Sequence, residues 1–287
     1  MKVVTVGNGF IANHLPYEIA NYRITPNEDD MLELIDQYKP DVIINATGFC
    51  GKPNIDQCEL ERTKTYMSNV VIPLMIAEQC ERHNIHLIHI GSGCIYFGES
   101  PNKKYIVETY DKNPNGFAEY DNGWVEDDFA NPQSFYSKTK YSCDLALGSM
   151  KNVTTLRIRM PISEKNNPRN LINKLKVYSS IIDIPNSVTF VSDLVRCIDW
   201  ATKNTKNGIY HVVNPEPLTA ADIMREYQKY VPDHKFNIIT EKELDKITAA
   251  KRSNCILNGD KLLKAGFQMT TSKESLIDCM LKYSKNI

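Results

Sequence analysis

Short apolar runs alternate with helically patterned segments along this chain, and no other feature restricts its fold so strongly. Apolar runs lie at residues 2–6, 41–46, 86–90, 153–159 and 208–213. Between them, residues 10–20, 29–38, 56–83, 134–150 and 189–203 carry apolar side chains at helical spacing. Residues 21–25 read as one further short strand, and Pro73 is expected to kink the long 56–83 helix. The run at 41–46 is apolar enough to be buried on both faces, as central parallel strands are. Strands joined by helical crossovers form a parallel sheet with helices on both faces. Such sheets bind ligands beyond the carboxyl ends of their strands. Chemistry is therefore expected in the turns after Val6, Ala46 and Ile90, and after Arg159.

Composition removes several function classes. Lys and Arg number 34 against 35 Asp and Glu, a net charge of −1 with no long basic run. So weak a field gives no electrostatic pull toward nucleic acid or anionic lipid. No apolar run reaches the length of a membrane span. The first residues enter a strand directly, without a signal-peptide pattern. Eight cysteines are scattered without a C-x-x-C pair. They read as reduced thiols of a cytoplasmic protein, and no metal site is expected.

The turn Gly7-x-Gly9-x-x-Ala12 follows the first strand and opens the next helical segment at Phe10 and Ile11. Gly7 permits the tight turn, Gly9 lets a pyrophosphate approach backbone N–H groups at a helix N-terminus, and Ala12 is small enough for helix–strand packing. The second strand ends near Arg23, with no acidic residue to hold a ribose 2′-hydroxyl. Arg suits a 2′-phosphate, so NADPH is favoured, with NADH possible. Ala46-Thr47-Gly48, closing the third strand, lies beside the adenosine half of such a cofactor. Residues 1–165, with 189–214 returning to them, then form an NAD(P)-binding lobe, and 166–188 with 215–287 a smaller C-terminal substrate-binding lobe. The polar stretch 99–133 is longer than an ordinary connection and reads as a functional excursion.

Tyr136-Ser-Lys-Thr-Lys140 places a phenol and an ammonium on one helix face. A free phenol ionises near about 10, and a nearby ammonium stabilises its anion, making Tyr136 an acid–base group. Ser92, beyond the fourth strand, can hydrogen-bond a substrate carbonyl or developing alkoxide. A free thiol ionises near about 8.5, so Cys94, two residues further on, can take a carbon-bound proton as thiolate.

With these parts the sequence resembles the extended short-chain dehydrogenase/reductase family, whose fold is Rossmann-like. Further blocks extend the likeness: Asn45-Ala-Thr-Gly48, Gly51-Lys-Pro-Asn-Ile-Asp56, Gly93-Cys-Ile95, Arg157-Ile-Arg-Met-Pro-Ile162, Asn166-Asn-Pro-Arg-Asn170, Ile184-Pro-Asn-Ser187 and Arg252-Ser-Asn254. In order, through most of the chain, they resemble the 3,5-epimerase/4-reductase part of plant UDP-rhamnose synthases. The length suits a free-standing enzyme without the dehydratase half that plants fuse to it. The glycine turn is one residue shorter than the family's, with Ala12 for the last Gly.

The resemblance implies UDP-4-keto-6-deoxyglucose as substrate and UDP-L-rhamnose as product. It makes Cys94 the epimerisation base and Lys174 the acid, with Lys165 and Lys176 as neighbouring alternatives. Tyr136 and Lys140 serve the reduction, with Ser92 on the C4 oxygen. Asn69 is implied to join the cofactor-binding set, and Met160, Pro161 and Ile162 to border the nicotinamide. Asn54, Asn166, Asn167, Arg169, Asn170 and Arg252 would hold the UDP sugar. A homodimer through the helices at 56–83 and 134–150 is implied as well. Two rival readings remain: a 4-reductase acting on an already epimerised dTDP sugar, and a non-catalytic NADP-binding regulatory subunit.

Overall fold

The computed structural model describes residues 1–21, 23–107 and 117–285. Six parallel strands form the main sheet: β1 Val3–Val6, β2 Glu18–Ile19, β3 Val42–Asn45, β4 His86–Ser92, β5 Val153–Ile158 and β6 Gly208–Val212. Their spatial order is β2-β1-β3-β4-β5-β6, a Rossmann-like arrangement. The chain leaves β1 toward one edge and crosses back to β3, so the order reverses between them. Val6 pairs with Asn45 at that switch point, and Ser92 pairs with Ile158 two strands away. Such a reversal leaves a crevice above the strand ends.

Alternate side chains of the strands feed two cores, the period-2 consequence of pleating. Val4, Ile43, Leu87 and Val153 face α1 Glu28–Tyr38, α2 Ile72–Arg82 and α3 Phe135–Leu147, through Met31, Leu34, Ile76 and Leu147. Ile44, Ile88, Leu156 and Ile158 face α4 Val191–Asn204, through Leu194 and Ile198. Leu262, Phe267 and Met269 complete this second core, so the 260s pack on the sheet and not within the smaller lobe expected from 215 onward. That smaller lobe has its own core of Ile162, Ile172, Phe190, Met224 and Met280.

Helix starts follow their capping residues. Asn27 caps α1 at Asp29 N–H, and Ser134 caps α3 by accepting from Ser137 N–H at 3.1 Å. Two expectations change. The helix expected at 10–20 is a single 3₁₀ turn, Ala12–His14. Leu15 is extended ahead of Pro16, as the residue before proline prefers, and the chain passes straight into β2 instead of a strand at 21–25. The long helix expected at 56–83 is cut into Asp56–Leu60, Arg62–Tyr66, a π-helical turn Met67–Val71, and α2. Pro73, which has no N–H, sits in the first turn of α2, where none is needed. The polar stretch holds an antiparallel pair, Lys103–Val107 with Phe117–Asp121; the part at 108–116 lies outside the described residues.

The turn after β4 is tied to the distant 253–258 segment. Ser253 Oγ donates to Tyr96 O at 2.6 Å, Gly98 N to Asn254 O at 2.8 Å, and Trp124 N to Ile256 O at 2.9 Å. Trp124 stacks on Tyr96 at 4.8 Å. Beneath them Arg157 pairs with buried Asp144 at 2.8 Å and also donates to Tyr96 Oη and His211 Nε2. Among the described residues, no helix is long and apolar enough to cross a membrane, and no cluster of three or more His, Cys, Asp or Glu side chains could hold a metal ion.

Candidate active site

A cleft of about 610 Å³ opens at the switch point, lined by Gly7, Gly9, Arg23, Ala46, Thr47 and Gly48 among others. Gly7 has φ +102°, and a Cβ there would lie 3.0 Å from the Ala46 carbonyl and 3.1 Å from Thr47 N. Only glycine allows this approach of the two turns. Because Ala12–His14 is one short turn, no full helix dipole stands over the cleft. An anion there would rely on backbone N–H groups and Arg23, a change from the helix N-terminus expected. Phe10 and Ile11 are half-buried in this turn. His14 joins it to the segment after β5: Nδ1 faces Phe10 O and Nε2 faces Ser163 Oγ, both at 2.7 Å. Burial holds His14 below its ordinary value.

The floor of the cleft is pinned from behind. Asn45 Oδ1 accepts from Thr47 N and Oγ1 at 2.9 and 2.6 Å. Asn69, fully buried in the π turn, accepts from Phe49 N at 2.7 Å and donates to Phe49 O at 2.9 Å. It also donates to Thr139 Oγ1 at 3.3 Å. One amide thus ties the loop after β3 to α3, and Asn69 acts as a brace behind the cleft.

Ser92 ends β4, Cys94 follows in the next turn, and α3 brings Tyr136 and Lys140 alongside. Cys94 N–H donates to Ser92 Oγ at 3.2 Å, while Ser137 Oγ donates to the Cys94 carbonyl. Lys140 is buried; its Nζ donates to Ile90 O at 3.2 Å and lies 3.4 Å from His89 Nε2. The Tyr136 phenol is raised well above its ordinary value, first by burial and then by the Cys94 and Cys50 thiols, against a hydrogen bond with Ser92. This departs from the expected easing by Lys140: taking the phenol out of water dominates, so Tyr136 is held as a protonated donor.

Lys174 enters the same neighbourhood from the helix Leu171–Leu175. Burial lowers its ammonium, the Cys50 and Cys94 thiols raise it, and Arg169 and Arg252 lower it, with a net downward shift. Of the alternative lysines, exposed Lys165 donates to Asn13 O at 3.3 Å and Lys176 to Tyr283 Oη at 3.0 Å. Lys174 is therefore the one of these three that faces the thiols. Cys50 was not singled out in the sequence; its place beyond the end of β3, one of the sheet's carboxyl ends, is the signal that could have found it.

The residues expected around the UDP sugar are mostly engaged with the protein. Arg252 closes its fork on Asp56 with two contacts of 2.8 Å. Arg169 donates to Gly51 O at 2.6 Å and reaches Cys50 Sγ at 3.2 Å. Asn54 Oδ1 accepts from Asp56 N at 2.9 Å, and Asn167 Oδ1 from Arg169 N at 2.8 Å. Asn166 is held by Asn173. Asn170 is fully buried, donates to Ser163 O and Lys165 O, and caps the Lys174 helix, which makes it a structural brace. Met160 and Pro161 are half-buried, with Met160 packed against the smaller lobe's core, in which the Ile162 side chain is fully buried.

Comparison with known proteins gives this site relatives. The trifunctional UDP-glucose 4,6-dehydratase/UDP-4-keto-6-deoxy-D-glucose 3,5-epimerase/UDP-4-keto-L-rhamnose-reductase RHM1 of Arabidopsis thaliana is 36% identical over 267 residues, 92% of this chain but 38% of that protein. The chain thus spans little more than a third of such trifunctional relatives. The bifunctional dTDP-4-dehydrorhamnose 3,5-epimerase/dTDP-4-dehydrorhamnose reductase of the same plant is 35% identical over 254 residues, covering 88% of this chain and 80% of that one. The crystal structure of the L780 UDP-rhamnose synthase from Acanthamoeba polyphaga mimivirus superposes with a TM-score of 0.86 at 25% identity, over 98% and 99% of the two chains. The model of the RmlD substrate binding domain matches residues 25–285. On that match, which runs through most of its length, this chain belongs to the RmlD substrate binding domain family.

Proposed function

We propose that this chain is an NADPH-dependent nucleotide-sugar enzyme that epimerises UDP-4-keto-6-deoxyglucose at C3 and C5 and then reduces C4, giving UDP-L-rhamnose. One observation carries the reading: hydrogen bonds hold the Cys94 turn against Ser92 and against α3, the helix of Tyr136 and Lys140, and the Cys94 thiol acts on the charge of both the Tyr136 phenol and the Lys174 ammonium. That rim also carries the Gly7–Ala46 cleft, whose close backbone approach and Arg23 fit a dinucleotide with a 2′-phosphate. The names of the plant and mimivirus relatives support a rhamnose-forming sugar chemistry.

A ketone at C4 acidifies the protons on C3 and C5. Cys94 takes each proton from one ring face, and Lys174, its ammonium eased by burial, returns one from the other. Ser92 and Tyr136 stabilise the oxygen on C4 while its charge develops. Bound in the cleft, NADPH supplies the hydride for C4. Tyr136, kept protonated by its burial, gives the oxygen its proton, and Lys140 holds the nicotinamide ribose. Arg169 and Arg252 border the sugar nucleotide and would exchange an internal partner for phosphate oxygens, a task suited to planar guanidinium donors. A homodimer through α3 and the segment before α2 belongs to the same reading, with Leu145 and Tyr66 exposed there.

The test is turnover in deuterium oxide with UDP-4-keto-6-deoxyglucose and NADPH. The expected product is UDP-L-rhamnose labelled at both C3 and C5, with one NADPH consumed per sugar. Reduction without label would replace this reading by a simple 4-reductase, and no turnover of either UDP or dTDP sugar would remove the enzymatic reading. A second expectation concerns the cleft. Gly7→Val puts a branched side chain against Ala46 at φ +102°, a strain of about 1–3 kcal/mol or a displaced turn. NADPH affinity, measured by fluorescence titration, should fall about tenfold or more.

A further inference from the structure

Arg159 stands directly behind the proposed base. It follows β5 and is only 1% exposed, a costly place for a guanidinium without a counter-charge. Its Nη1 reaches Cys94 Sγ at 3.0 Å and Ser253 Oγ at 3.1 Å. Its Nη2 donates to Ser253 O at 2.5 Å and to Asn186 Oδ1. Its Nε is buried without a partner. None of these acceptors is a carboxylate, and no ion pair with an acidic side chain is found for Arg159 among the described residues. The contrast with its neighbour in sequence is direct: Arg157, equally buried, is neutralised by Asp144 at 2.8 Å. Two thiols are left as ionisable groups beside Arg159. Burial works against its charge, while Cys255 and Cys94 favour it, and the net shift is upward. Cys255 is buried and faces Gly93 O, whereas Cys94 is half-exposed at the rim.

We propose that Arg159 is a positioning residue for epimerisation, holding the Cys94 sulfur toward the sugar and supplying the positive charge that its thiolate needs. The guanidinium cannot lose its proton, so the sulfur is the member of the pair that changes charge. Asn186 and the Ser253 carbonyl orient the fork, and Ser253 in turn holds the Tyr96 carbonyl, so the charge and the turn bearing Cys94 are set by one network. The role rests on the epimerase reading, but its test needs neither substrate nor cofactor.

The measurement is site-resolved alkylation by iodoacetamide, followed by mass spectrometry, on the full chain across a pH series. In the unaltered protein, Cys94 should react at neutral pH about tenfold or more faster than a simple thiol compound of the same intrinsic nucleophilicity, because the guanidinium 3.0 Å from its sulfur favours the attacking thiolate. Arg159→Gln should remove that advantage at neutral pH, and the two proteins should converge in alkali, where both thiols are ionised. Arg159→Lys, which keeps the charge, should retain most of it. A Cys94 profile in the unaltered protein that follows the simple thiol would overturn the proposal without any variant, as would an unchanged profile in a folded Arg159→Gln. Missing deuterium exchange alongside the expected alkylation profile would instead sink the epimerase reading alone.

Discussion

Tyr136→Phe should lower NADPH-dependent reduction of the C4 ketone by about 10²–10⁴-fold, the range lost with a positioned proton donor. The variant removes one oxygen from the α3 face and leaves the Gly7–Ala46 cleft untouched, so NADPH affinity should hold. Deuterium exchange at C3 and C5 should fall less than reduction, because Ser92 still donates to the C4 oxygen. Burial and the neighbouring thiols raise the Tyr136 phenol, which fixes the sign of the pH dependence. The donor must carry its proton to act. A raised phenol keeps that proton into alkali, so the alkaline limb due to Tyr136 should lie above the ordinary phenol range of about 10. Reduction within tenfold of the unaltered protein would show that another group delivers the proton.

Cys94→Ala should abolish isotope exchange at both carbons, by about 10³-fold or more, because it removes the group that takes the proton from carbon. Its effect should be selective. Given the already epimerised 4-keto sugar, the variant should still reduce it, since Tyr136, Lys140 and Ser92 remain. Cys50, held against Arg169 at 3.2 Å, is the thiol to control for, since it too acts on the charge of Tyr136 and Lys174. Exchange that persists in Cys94→Ala and vanishes in Cys50→Ala would transfer the base to Cys50. Exchange that survives both substitutions would end the thiol mechanism.

The strand pattern was legible because central parallel strands bury both faces: the runs at 41–46, 86–90 and 153–159 became β3, β4 and β5 nearly as read. The helix bearing Tyr136 was legible through Ser134, whose hydroxyl caps it. Periodicity misled where proline intervened. Residues 10–20 repeat like a helix, yet Leu15 before Pro16 must extend, and one 3₁₀ turn is all that survives. That Ser92 and Cys94 would lie at the sheet's carboxyl edge followed from the rule that the ends of parallel strands share an edge, whereas Tyr136 was read from its spacing to Lys140 and Lys174 from the resemblance alone. Side-chain partners did not follow. That Arg252 would close on Asp56, that Ile162 would turn into the smaller lobe, and that Arg159 would be buried against sulfur all depend on contacts between segments far apart in sequence. Propensity and spacing carry no record of those contacts.

The ties from Ser253 and Asn254 to the turn after β4 also bear on how the molecule is born. Ser253 and Tyr96 are 157 positions apart, whereas the six strands are all present once residue 212 has been made. During translation the nascent polypeptide can collapse around its sheet long before the ribosome reaches 253. Until then the turn bearing Cys94 lacks the hydrogen bonds that reach it from Ser253 and Asn254. That turn is therefore completed only once residues 253 and 254 have joined it.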